Sequence, residues 1–281
     1  MINKSILHLS LALVSCLLLS CNSPIIPAGE STHSDNRTNA INELSLESGI
    51  ENITISLQTF VERRVRDAAV KVTSQEREGH GSGTYFTYRG FHLVITALHV
   101  VDKMDSKHIV IIGKDNESVE ARLLYKDAQN DIAVLQTKGT LESRRALTLN
   151  IQESGPQAGD ILTYTGFPSN HDMLTFQGKI AGFEEIDRRN NRSAILVHTY
   201  GWFGSSGSCL FNERGQLVAI LWGIDVEVFM VPQAQEDLVY ASLANTIDLD
   251  VVLLQACKYA PEKPVCQRVI ERDIRQRFGR D

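Results

Sequence analysis

Beyond residue 67 the apolar positions fall into short runs separated by polar or glycine-marked breaks. Ala68 to Val72, Thr84 to Tyr88 and Phe91 to Ile95 each have strand length, and Arg89-Gly90 between the last two is a hairpin signal. His108 to Gly113, Val119 to Tyr125, Ile132 to Gln136, Ile161 to Gly166, Leu174 to Ile180 and Ala194 to His198 continue the series. Leu210-Phe211, a polar turn at 212–215 and the apolar run 217–223 predict a further hairpin with a buried second strand. Gly79-His80-Gly81-Ser82-Gly83 reads as a glycine-punctuated turn. Many short strands with few helical patterns between them predict an all-β sandwich or pair of barrels. Helical spacing is confined to the ends: Phe60 to Val65, Asp248 to Lys258, and Val265 to Phe278 with Val265, Val269, Ile270, Ile274 and Phe278 on one side.

Composition narrows the field. A chain of 281 residues with 43% hydrophobic content can bury one sizeable core, in one or two subdomains. A net charge of −6 gives no footprint for nucleic acid. None of the five cysteines forms a C-x-x-C pair, and the histidines lack zinc-ligand spacing, so neither a metal nor a cofactor is expected.

The first 21 residues bear on compartment. Lys4 precedes a mostly apolar run from Ile6 to Leu19, of signal-peptide length and short for a membrane span. The run ends Leu18-Leu19-Ser20-Cys21, which resembles the lipobox of bacterial lipoproteins; the resemblance implies a diacylated Cys21 as the mature N-terminus. Leu13-Val14-Ser15-Cys16 fits the same pattern less well, and an ordinary cleaved signal peptide is the alternative. Asn22 rather than aspartate after the cysteine points to the outer membrane, on its periplasmic face or at the cell surface. Residues 1–20 are thus expected to be a signal peptide and 21–56, rich in Ser, Asn, Pro and Glu, a tether.

Chemistry concentrates in three places. Gly204-Ser205-Ser206-Gly207-Ser208-Cys209 is a tight loop whose N–H groups at Gly204 and Ser206 can converge beside the Ser206 hydroxyl. His99 ends a buried strand, and Asp131 opens another. A hydroxyl becomes nucleophilic when a base takes its proton, and the base needs a carboxylate to fix its tautomer. The chain order His, Asp, Ser differs from that of subtilisins and α/β-hydrolases.

These segments resemble the motifs of trypsin-like (chymotrypsin-fold) serine peptidases: Thr96-Ala97-Leu98-His99, Asp131-Ile132-Ala133-Val134-Leu135 and Gly204-Ser205-Ser206-Gly207-Ser208. The compact size is similar to bacterial HtrA-type catalytic domains. The resemblance implies two six-stranded antiparallel β-barrels over 57–248, one near 68–140 carrying His99 and Asp131, the other near 145–245 carrying Ser206. It also implies an oxyanion hole from the N–H groups of Gly204 and Ser206, and substrate contacts at Tyr200, Leu221, Trp222 and Gly223. Ser205 replaces the aspartate that pairs with a freed N-terminus in zymogen-activated members, so activation by N-terminal insertion is not expected. Residues 249–281 form a helical extension too short for a PDZ module, and in an exported protein Cys257 and Cys266 are expected to pair across it. Cys209 is expected to be a small buried thiol. The function expected is a serine endopeptidase acting on proteins or peptides, anchored to a membrane through Cys21. A non-catalytic scaffold on the same fold, or an esterase, is the alternative.

Overall fold

The computed structural model describes residues 58–278 except short gaps at 77–78, 103, 105–107, 170, 188–191 and 229–231. The lipobox, Cys16, Cys21 and the tether to residue 56 lie outside the described residues.

The chain enters through helix α1 (Phe60–Ala68). Thr59 caps it: its hydroxyl accepts the Glu62 N–H while the Glu62 carboxylate accepts the Thr59 N–H at 2.6 Å. Seven strands follow: β1 (Ala69–Ser74), β2 (His80–Tyr88), β3 (Phe91–Ala97), β4 (Ile109–Ile112), β5 (Ser118–Asp127), β6 (Ile132–Thr137) and β7 (Leu147–Thr148), with the single-turn helix α2 (Leu98–Val101) after β3. Their order β1-β4-β5-β6-β3-β2 closes through a β1–β2 pairing, and β7 adds to β2 in parallel. The second closed barrel, ordered β10-β13-β12-β11-β8-β9, is built from β8 (Ile161–Gly166), β9 (Leu174–Asp187), β10 (Arg192–His198), β11 (Cys209–Asn212), β12 (Leu217–Val228) and β13 (Pro232–Leu243). Two six-stranded antiparallel barrels are the expected architecture.

The unbroken apolar runs have a simple cause: several strands are buried on both faces. In β3, Val94 points into the first barrel while Leu93 and Ile95 join a separate cluster. In β11 and β12, Leu210 and Leu221 fill the second barrel, whereas Cys209, Phe211 and Ile220 join that same separate cluster. It also receives Val252, Leu253 and Ala256 from α3 (Leu249–Tyr259) and Cys266 and Val269 from α4 (Pro264–Phe278). One apolar layer therefore joins both barrels and the terminal helices. Cys257 and Cys266 form a disulfide across the helix pair. Lys263 ties the pair to barrel one by donating to the Gly90 carbonyl at 2.9 Å.

Three readings need correction. The stretch 80–83 is the first half of β2, with the turn at Gly79 (φ +116°). Gly81 is glycine because a β-carbon there would meet Val100 at 2.5 Å and the Ser206 carbonyl at 2.9 Å. Strand β13 escaped notice because its first half lies exposed in a hairpin with β12, and its contribution to the barrel core, Val239 and Ala241 with Leu243 packed against them, comes only in the second half. On α4, Val269 is buried and Val265 and Ile270 pack against the core beside Cys266, as the spacing predicts, but Ile274 is 50% exposed.

Candidate active site

Strand register brings the first two residues together. Ala97, the last residue of β3, pairs with Ile132, the first of β6. His99, in α2 two residues past Ala97, thus stands beside Asp131, one residue before Ile132. Asp131 has φ +56°, a left-handed conformation that aspartate tolerates better than most residues. From there it grips the turn three times. Its carbonyl accepts the Leu98 N–H at 3.0 Å, Oδ1 accepts the His99 N–H at 2.8 Å, and Oδ2 lies 2.6 Å from His99 Nδ1. A carboxylate only accepts, so the proton sits on Nδ1 and Nε2 carries the free lone pair. The imidazole is 47% exposed and the Asp131 side chain 17%. The imidazole is therefore reachable, and its carboxylate partner is sheltered.

The serine loop belongs to the other barrel. Trp202 to Ser205 form a β-turn closed by Ser205 N–H to Trp202 C=O at 2.9 Å, with Gly204 at φ +93° in the third position, where left-handed backbone is required. The Phe203 carbonyl accepts the Ser169 N–H at 2.6 Å. In a trans peptide N–H and C=O point in opposite directions, so this bond turns the Gly204 N–H away from Ser169. Likewise Ser208 N–H holds the Ser205 carbonyl at 3.0 Å and turns the Ser206 N–H the other way. Neither the Gly204 nor the Ser206 N–H has an acceptor among the described residues. Two unpaired donors, two residues apart beside a hydroxyl, are what an anionic tetrahedral centre needs.

Close packing sets this loop against barrel one. Gly207 (φ +91°) presses on the Thr96 hydroxyl and the Ala97 N–H at the end of β3, two to three residues before His99. The Ser206 carbonyl and the Val100 side chain converge on Gly81. Ser206 is half-buried and makes no side-chain hydrogen bond to His99 among the described residues. Catalytic hydrogen bonds are often long before substrate arrives. Ser205, fully buried, receives the Trp202 N–H at 3.4 Å and lies against the Tyr164 phenol, whose pKa burial pushes up.

The remaining sequence candidates separate. The Tyr200 carbonyl accepts the Tyr164 hydroxyl, and its ring lies 5.2 Å from Phe176. Leu221 is 1% exposed in the core of barrel two, with its N–H and C=O already bonded to Ser208 and Gly207. Trp222 stacks on Tyr240 at 5.3 Å, and Gly223 pairs with Tyr240 across the ladder. Beyond Leu221, β12 pairs with β13. Cys209 is fully buried and free, its pKa pushed up to about 12 by burial. No group of three His, Cys, Asp or Glu among the described residues could hold a metal ion. Sequence reasoning missed Ser82, His80 and Ser169, which fasten the loop. For His80 and Ser82 the signal was the alternation of glycine with polar residues in β2, a mark of close backbone approach; Ser169 lies in the loop after β8 and carried none.

Fold and site define the class: a chymotrypsin-fold serine peptidase domain. Residues 81–220 match the family described as "Trypsin-like peptidase domain", and the chain carries a domain of that family. The curated relatives include the serine endoprotease DegS of Salmonella typhimurium, 29% identical over 57% of this chain and 47% of that one. DegS of Escherichia coli K12 is 30% identical over 50% of this chain and 38% of its own. A probable periplasmic serine endoprotease, DegP-like, of Pseudomonas savastanoi is 23% identical over 83% of this chain and 48% of its own. The chain thus spans less than half the length of these relatives, which are of the HtrA type. Among solved structures, the serine endoprotease from Yersinia pestis gives a TM-score of 0.52 at 23% identity, covering 68% of this chain and 65% of that one. Rv3671c of Mycobacterium tuberculosis, in an inactive form, gives 0.53 at 16% identity over 74% of this chain and 94% of that one. At these identities the two structures speak to fold alone.

Proposed function

We propose that the protein is a serine endopeptidase that hydrolyses peptide bonds of proteins or peptides through an acyl-enzyme. The observation that carries the reading is the Asp131–His99 pair, with Oδ2 2.6 Å from Nδ1 and Nε2 left as the base. Nε2 takes the proton from Ser206 Oγ as the oxygen attacks the substrate carbonyl, and later returns it to the leaving amine. The negative charge that develops on the carbonyl oxygen is received by the N–H groups of Gly204 and Ser206. Water, deprotonated by the same imidazole, then releases the acyl group. The edge of β12 beyond Leu221 suits an extended substrate segment laid alongside it, with Trp222 and Gly223 as its contacts. Leu221 supports that edge from within the barrel. Tyr200, rather than an acid, at the base of the primary pocket favours an apolar or small side chain there.

Export and membrane attachment through Cys21 complete the proposal and rest on the sequence pattern of residues 4–21. Casein turnover by the purified protein tests the activity. Ser206→Ala is expected to abolish it while the melting temperature stays unchanged. Turnover that persists in the folded variant would refute the assignment.

A further inference from the structure

We propose that Ser82 is a positioning residue that holds the oxyanion-binding loop in register with the His99–Asp131 pair, a role that rests on the peptidase reading above. Ser82 sits within β2 of barrel one at 0% exposure. Its hydroxyl donates to the Gly204 carbonyl at 2.7 Å and accepts the Phe167 N–H at 2.9 Å. Its own N–H donates to the Ser206 carbonyl at 2.7 Å. The Thr96 hydroxyl fixes Ser82 in turn by donating to its carbonyl at 2.7 Å.

A peptide group is a rigid plane, so one hydrogen bond to its carbonyl fixes the direction of the next N–H. Four successive planes run from Phe203 to Gly207, and each carbonyl has one donor: Ser169, Ser82, Ser208 and Ser82. Ser169 and Ser208 set the planes that carry the Gly204 and Ser206 N–H groups; Ser82 holds the two planes alternating with them, which carry the Ser205 and Gly207 N–H groups, and it is the one donor that comes from barrel one. Glycines with positive φ flank the segment at 204 and 207, so its own backbone resists rotation weakly. His99 and Asp131 belong to barrel one and Ser206 to barrel two. Ser82 therefore ties the position of the oxyanion donors to that of the base.

The backbone bond to Ser206 could come from any residue, but the bonds to Gly204 and Phe167 need a side chain that both donates and accepts at this length. His80 braces the same junction, its Nε2 2.8 Å from the Phe167 carbonyl.

The test is steady-state kinetics of the full chain on a peptide substrate, together with inhibition by a peptide boronic acid. The boronate becomes tetrahedral on Ser206 and places an oxygen where the oxyanion forms. Ser82→Ala is expected to lower kcat by about 10- to 100-fold, short of the loss from deleting an oxyanion donor outright. KM should stay within about twofold, and boronate affinity should fall in step with kcat/KM. Thr84→Val, a buried change two residues along the same strand, is expected to leave kcat and boronate affinity unaltered. If Ser82→Ala does not fold, Ser82→Cys keeps the volume with a weak donor and should shift kcat the same way. Unchanged kcat in a folded Ser82 variant, or an equal loss in Thr84→Val, overturns the proposal while leaving the peptidase reading intact. A folded wild-type protein that neither turns over substrate nor binds the boronate overturns both.

Discussion

Asp131 shows how one residue can carry three requirements. Its left-handed backbone lets the main-chain carbonyl, both carboxylate oxygens and the following strand all bear on a single turn of helix. Asparagine tolerates the same conformation and keeps an acceptor oxygen, so Asp131→Asn should fold normally. It can no longer enforce a proton on Nδ1, because an amide both donates and accepts. The expected result is a fall in kcat of about 10³- to 10⁴-fold, with circular dichroism and melting temperature unchanged. A loss below tenfold would mean that the tautomer is set by something else. At this scale the sequence was informative: His99, Asp131 and the Ser206 loop each sit in a short motif legible without neighbours. The fastening residues were not. Ser82 acts through a hydroxyl whose partners, Gly204 and Phe167, are 122 and 85 residues away; the glycines around it mark a close approach, but no local pattern says to what. Leu221 illustrates the reverse. Its motif suggested contact with substrate, but strand alternation turns its side chain into the barrel.

Among elements, strands buried on both faces were the easiest to read, because two apolar surfaces leave a continuous hydrophobic run. Strand β13 was hidden by the opposite circumstance: a ribbon projecting into water needs polar side chains on both faces, and Pro232 to Asp237 supply few apolar ones. The strand at 80–83 was mistaken for a turn because glycine signals both a turn and a close approach, and Gly81 faces the Ser206 carbonyl and Val100. The terminal helices were legible from spacing, and their cysteines form the expected cross-link. It closes a loop with a sequence separation of 9. Loop-closure entropy then assigns it about 2–3 kcal/mol. Cys257→Ser with Cys266→Ser should lower the midpoint of urea denaturation by a corresponding amount and leave kcat unchanged. A kcat that falls with the disulfide would instead tie the helix pair to catalysis.

For the molecule as a whole, the two barrels bring complementary parts. Barrel one holds the His99–Asp131 pair, barrel two Ser206 and its loop, and one apolar layer packs against both. The segment before the described residues bears on where this happens. If Cys21 is the lipid attachment site, Cys21→Ser should move the protein from the membrane to the soluble fraction in a bacterial host and abolish incorporation of labelled palmitate. Labelling that persists in Cys21→Ser and disappears in Cys16→Ser would assign the anchor to Cys16.

The central claim is that the imidazole of His99 activates the hydroxyl of Ser206 across the barrel interface. Reaction with a fluorophosphonate probe, with the adduct located by mass spectrometry, tests it most directly. The expected result is a single adduct on Ser206 in the wild-type protein and none in folded His99→Ala. A folded wild-type protein that stays unlabelled, or labelling of Ser206 that is equally fast without His99, would contradict it.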